Sequence, residues 1–191
     1  MLTQLLFAVL LHPIHATHAE MEWNQESQRV EVALRLDPID EQKIDRLGRH
    51  LEAQASVSKP PSNQRTSHPM TSEKGRQKET PTIRRHLALL AAEFQFSSPS
   101  LAQLDRQKTT KWKGHPVPVA NYRWIGREEK DGFVWWYFEI QPADGRKPTR
   151  LRQTLLFQTD RRYRHTVLIL GEKKRLSLEF SPEVDQQTIP W

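Results

Sequence analysis

Phe133-Val134-Trp135-Trp136-Tyr137-Phe138-Glu139-Ile140 is the stretch on which the fold turns. Seven of its residues are aromatic or β-branched, and it holds a single charge, so it reads as a strand. The unbroken apolar run further predicts a central strand buried on both faces. Working outward, Asn121–Gly126 with Tyr122 and Trp124 is a second strand, and Arg127–Gly132 is a charged turn between the two. Pairing this hairpin about residue 129 would bring Trp124 close to Val134 and Trp135. Further strands are expected at Leu151–Phe157, Thr166–Leu170 and Leu176–Phe180, with Gly171-Glu172-Lys173-Lys174 turning the last hairpin.

The N-terminal region has the same character. Residues 14–24 alternate, Asn24-Gln25-Glu26-Ser27 is a polar turn, and Val30, Val32, Leu34 and Leu36 alternate with polar or small residues. That is an antiparallel hairpin, with His15, Thr17, Ala19, Met21 and Trp23 on the core side of its first strand. Asp37-Pro38 starts a helix: Asp37 caps, Pro38 suits the first helical position, and Asp40 and Glu41 favour the positive end of the dipole. Ile44, Leu47 and Leu51 form its apolar stripe, which Gly48 weakens. Ile83, Leu87, Leu90 and Phe94 form a second helical stripe, with extended chain near Phe94-Gln95-Phe96. Between them, residues 55–82 hold Pro60, Pro61, Pro69 and Pro81 among Ser, Thr, Gln and Lys. So few apolar side chains cannot offset the entropy of ordering, which predicts a disordered insertion inside the domain. The expected fold is mainly β: one antiparallel β-sandwich-like domain over residues 12–180 with one or two helices, then a C-terminal tail at 181–191.

Composition bounds the rest. A chain of 191 residues can build a proper core, and 36% apolar with 27% charged residues is globular but polar-leaning. Seven glycines disfavour phosphate-cradling loops, and the absence of Cys leaves no disulfides. The formal charge is +6. Part of the excess lies in residues 55–82, and Arg150, Arg152, Arg161 and Arg162 belong to a second basic cluster. Such a cluster is either a solvated basic face or a contact for an anionic envelope component.

Leu5–Leu11 is an apolar run too short to span a bilayer, so residues 1–11 read as a signal peptide, without the usual basic start. The expected location is therefore exported, periplasmic or in the cell envelope, with no transmembrane span in the mature chain. Three histidines follow, His12, His15 and His18. On a strand His15 points away from the other two, and His12 and His18 lie roughly 20 Å apart. A metal site therefore needs cleavage to free His12, whose amine and imidazole could join His15 or His115 on copper, nickel or zinc. Otherwise no cofactor is implied. Trp124, Trp135 and Tyr137 are candidates for an exposed aromatic surface, with sheet packing as the plainer reading. There is no nucleophile elbow, zinc-protease motif, phosphate loop or Cys nucleophile. Nothing calls for a nucleic-acid partner.

Two blocks of sequence resemble a known family. His12-Pro13-Ile14-His15, Glu20-Met21-Glu22-Trp23-Asn24 and Val30–Leu36, with Ile125–Glu128, Val134–Ile140, Thr154-Leu155-Leu156 and Lys174–Leu178, look like an uncharacterised exported bacterial family, domain of unknown function 6702. The resemblance covers residues 12–54 and 83–180; Asp160-Arg161-Arg162-Tyr163 departs from the family's polar turn. It implies export and architecture but no activity. The functional expectation is a non-enzymatic exported accessory domain that binds an envelope protein or component. The alternatives are a metal-handling protein that uses the N-terminal histidines and, more weakly, an unrecognised hydrolase.

Overall fold

The computed structural model describes residues 15–57, 80–97, 109–112, 115–118, 120–171 and 174–191. The signal-peptide reading at 1–11, His12, and most of the expected insertion lie outside these residues. Strands β1 (Ala16–Asn24) and β2 (Arg29–Leu36) form the expected hairpin, and Trp23 pairs with Val30 across it. Thr17, Ala19 and Met21 face the core as their alternation requires. Helix α1 (Pro38–Val57) starts where Asp37 accepts the Ile39 N–H at 2.8 Å. Helix α2 (Pro81–Glu93) starts at Thr80, whose hydroxyl accepts the Ile83 N–H, and runs directly into β3 (Phe94–Ser97). The two helices therefore take up both ends of the span 55–82.

β4 (Thr109–Trp112) and β5 (His115–Pro118) make a small hairpin. β6 (Asn121–Lys130) and β7 (Phe133–Gln141) make a long one. β8 (Arg150–Gln153), β9 (Arg164–Leu170), β10 (Arg175–Phe180) and β11 (Gln186–Thr188) complete the chain. The main sheet has six strands in the order β10-β9-β1-β2-β7-β6, and a smaller one has the order β11-β8-β3. Both helices and the smaller sheet contribute to the core on one face of the large sheet. Ile44, Leu89 and Leu90 from the helices, and Phe94, Phe96 and Leu151 from the small sheet, join Leu34, Trp136, Phe138 and Val167. The protein is thus mainly β, a sandwich-like α+β arrangement.

Several details differ from expectation. β1 pairs with β9 in parallel, so the sheet is mixed. β7 is not buried on both faces: Val134, Trp136, Phe138 and Ile140 are buried, while Trp135, Tyr137 and Glu139 are half-buried. The turn of its hairpin is only Asp131-Gly132, both at positive φ (54° and 79°), the geometry of a tight two-residue turn. β6 therefore runs four residues further than expected, and Trp124 pairs with Phe138 instead of lying near Val134. The strand expected at 151–157 stops at Gln153, and Leu155 and Leu156 are buried in the turn after it.

The last difference concerns residues 181–191, which are not a tail. β11 pairs with β8, Ile189 is buried, and Trp191 packs on the core. The helical stripes also shift. On α2 the buried side chains are His86, Leu89, Leu90 and Ala92, with Ile83 and Leu87 half-buried. Gly48 has a packing role: a Cβ there would stand 3.1 Å from that of Arg85, so its absence lets α2 approach α1 closely.

Candidate functional site

Two polar networks anchor the first turn of α1 to the large sheet. The first depends on an irregularity in β6. Trp124 pairs with Phe138 and Gly126 with Tyr137, so Ile125 is an extra residue in a β-bulge. The bulge resets the alternation, and Arg127, opposite Trp136, faces the helices. Its guanidinium donates to both oxygens of Glu41 at 2.6 Å each. The Trp136 indole N–H donates to the same carboxylate at 2.9 Å. Burial acts to raise the Glu41 carboxyl, but the bonds from Arg127 and Trp136 outweigh it and hold the group below its ordinary value. His86 stacks on the Trp136 ring with centroids 4.2 Å apart, and Trp124 meets Trp136 edge-on at 5.4 Å. Burial lowers the His86 imidazole against the opposing pull of Asp45, 3.8 Å away.

The second network starts from the neighbouring residue. Tyr163 donates its hydroxyl to buried Asp40 at 2.5 Å, and Lys43 donates to Asp40 at 2.9 Å and to the Tyr163 oxygen at 2.6 Å. Burial, then the Asp40 carboxylate, pushes the Tyr163 phenol up to about 12. The turn Asp160–Tyr163 delivers this ring: the Tyr163 N–H donates to the Asp160 carbonyl, and Arg162 pairs with the Asp160 carboxylate at 2.7 Å. His165 lies beside it, with Nδ1 2.7 Å from the Thr17 hydroxyl and its ring stacked on Phe157. Burial pushes this imidazole down to about 4.

His15, a proposed metal ligand, stacks its ring on Tyr163 at 5.1 Å. His12 lies outside the described residues. Among the described residues no three His, Asp or Glu converge in a way that could hold a metal ion. Glu41, Asp40 and Tyr163 are hydrogen-bonded within these networks, and His86 and His165 pack against them by ring stacking, each with a buried Nε2 that has no hydrogen-bond partner.

The three aromatic candidates do not share a surface. Trp124 faces inward, toward His86 and Trp136. Trp135 and Tyr137 face outward, two residues apart on β7. Tyr137 stands opposite Ala33 and donates to Glu128 at 3.0 Å; Trp135 stands between Arg35 and Glu128. Arg35 lies over the Phe133 ring at 4.6 Å. One row further along, Glu31 and Glu139 are directly opposed. Arg29 and Arg123 at 2.6 and 3.0 Å from Glu139, and Asn24 at 2.7 Å from Glu31, offset the like-charge contact. This outward face is an aromatic pair with a charged border.

The basic candidates are largely neutralised. Arg150 and Arg152 share the exposed face of β8, but Arg152 pairs with Asp185 at 2.9 Å. Arg162 pairs with Asp160, and Arg161 lies 3.7 Å from Glu183. Their density in sequence gave no hint of these acidic partners, which come from turns distant or adjacent.

The sequence reading missed a cleft of about 370 Å³ at the end of the large sheet. Trp23 from β1, Ile169 and Leu176 from the β9–β10 hairpin, and Trp191 line it, with Lys147 and Lys174 at its border. Nothing local in the sequence marks it, because its walls come from segments more than a hundred residues apart. No family model and no curated protein matches this chain.

Proposed function

We propose that this chain is an exported accessory domain, periplasmic or envelope-associated, that acts by binding a partner protein and not by catalysis. The resemblance to domain of unknown function 6702 fits the same reading. The observation that carries it is the outward face of β7. Trp135 and Tyr137 stand there half-exposed, at the centre of alternating Arg and Glu side chains, on a rigid sheet whose other face is the core. Amphipathic aromatic rings within a charged border are the usual make-up of a protein-recognition patch. Glu41, Asp40 and Tyr163 of the interior, by contrast, are engaged by structural partners. No helix among the described residues is long and apolar enough to cross a membrane.

Site-specific photo-cross-linking tests the reading in the native host. A benzophenone side chain at Tyr137 should give a discrete cross-linked species in the envelope fraction, and the same probe at exposed Val184 should not. Equal background at both positions rejects the sheet face as the contact. Recovery of the intact chain in the cytosol, with residues 1–11 retained, rejects export.

A further inference from the structure

Residues 154–163 carry the chain from β8 in the small sheet to β9 in the large one, and they pair with no strand. Their backbone hydrogen bonds are mostly internal: the Phe157 N–H on the Thr154 carbonyl at 3.0 Å, Thr159 on Leu156 at 2.9 Å, and Tyr163 on Asp160 at 3.2 Å. Leu156 stands at a φ of 66°, a conformation that a bulky side chain keeps only where its surroundings enforce it. Side chains supply that enforcement. Leu155 and Leu156 are fully buried, Phe157 stacks on His165 at 4.6 Å, and the Tyr163 hydroxyl is held by Asp40 and Lys43. His165 lies against two of these anchors, since its ring is also nearly parallel to that of Tyr163, 6.2 Å away. It is 1% exposed, with Nδ1 2.7 Å from the Thr17 hydroxyl and Nε2 buried without a partner.

This site suits a neutral ring. Burial opposes a charge on His165, the Leu155 backbone favours one, and Arg164 beside it on β9 opposes one. On α1, Asp40 and Lys43 are bonded to each other and to Tyr163, and His15, just before β1, stacks on the Tyr163 ring. Among the described residues no carboxylate forms an ion pair with His165. We infer that residues 154–163 are an acid-released latch between the two sheets: protonation expels the His165 ring and with it Phe157 and Tyr163, while the rest of the large sheet stays folded. Release uncovers Leu155 and Leu156, and the first turn of α1 loses the Tyr163–Asp40 tie. The imidazole titrates at about 4 with the latch closed and returns to its ordinary 6.5 once freed, so acid favours the open form. Linkage raises the open-to-closed ratio about twentyfold from pH 7 to 5, and about a hundredfold from pH 7 to 4. The inference is independent of the partner-binding reading, and either can fail alone.

Hydrogen exchange of the full chain at pH 7 and pH 5, read by mass spectrometry and corrected for the intrinsic effect of pH on exchange, measures the opening. Peptides from 154–163 should be less protected than those of β7 at both pH values, the mark of a local step. Their protection should fall about twentyfold at pH 5. In His165→Phe, which keeps a ring against Phe157 but takes no proton, that fall should be lost. Two results on the unsubstituted chain would each overturn the inference. Protection of 154–163 equal to that of β7 would mean that the segment opens only with the whole molecule. Protection that does not change with pH would mean that opening leaves His165 in place. A folded His165→Phe variant that keeps the full pH dependence would overturn it as well.

Discussion

Trp135 and Trp136 are adjacent and chemically identical, yet they belong to different parts of the molecule. Trp136 is fully buried, stacked on His86 and hydrogen-bonded to Glu41. Trp135 is half-exposed, between Arg35 and Glu128 on the open face of the sheet. The strand's two-residue period alone separates them. The inward face holds the histidines, tyrosine and carboxylates that tie the helices to the sheet. The outward face holds a charged lattice around two aromatic rings. On this sheet the most reactive side chains therefore lie on the helix-covered face, and the aromatic rings open to solvent lie on the other.

The largest effect should come from exchanging one of these tryptophans. Trp136→Ala removes a buried ring, leaves a cavity beside His86, and takes one donor from Glu41. The expected loss is about 3–5 kcal/mol of unfolding free energy. Trp135→Ala should cost about 1 kcal/mol or less. Denaturant melts of the two variants compare the faces directly, and similar losses would show that β7 is buried on both sides after all.

The next effect depends on pH and again concerns the inward face. His165 is buried and its folded pKa is about 4, below the ordinary 6.5. A depressed histidine pKa means that the unfolded chain binds the proton more readily. The contribution is fully present above pH 6.5 and is lost as pH falls toward 4. The drop across that window is at most about 3 kcal/mol. His86, also lowered by burial, acts in the same direction. In His165→Leu the pH dependence between 6.5 and 4 should flatten. An unchanged slope would place the acid sensitivity elsewhere.

The third concerns the bulge that brings Arg127 inward. Arg127→Ala leaves Glu41 with the Trp136 indole and without its cation. The expected cost is about 1–2 kcal/mol, smaller than that of Trp136→Ala because Arg127 is partly exposed. A double-mutant cycle with Glu41→Gln should show that most of this loss is shared by the pair. Additive losses would mean that the contact contributes little.

The elements that local pattern determines were legible in the sequence. The β1–β2 hairpin, the start of α1 at Asp37-Pro38, and β7 follow from alternation and from the preferences of single residues. What depends on distant partners was hidden. β1 meets β9 in parallel across more than a hundred residues, and residues 186–188 become a strand only because β8 offers an edge. Trp124 was misplaced for a local reason: a run of charges at 127–130 looks like a turn, but the tight turn is Asp131-Gly132. The misplaced turn put Trp124 beside Val134 and Trp135, four residues short of its true partner Phe138. The basic cluster misled because a sequence shows cations in a row but not the carboxylates folded against them.

The smallest effect on stability should carry the largest effect on recognition. Trp135→Ala with Tyr137→Phe removes one ring and the hydroxyl that bonds Glu128, both at the solvent side of the sheet. Neither leaves a buried cavity, and cross-strand contacts of this kind contribute only about 0.2–1 kcal/mol each. The melt should therefore shift by about 1 kcal/mol or less. Yield of the cross-linked envelope species should nevertheless fall severalfold, with the benzophenone probe moved to Ala33, Tyr137's neighbour across the strands. A small stability change with full retention of the cross-link would mean that the aromatic pair merely shields the sheet. A large stability change would mean that the outward face is structural too, and the contrast between the two tryptophans would be one of degree.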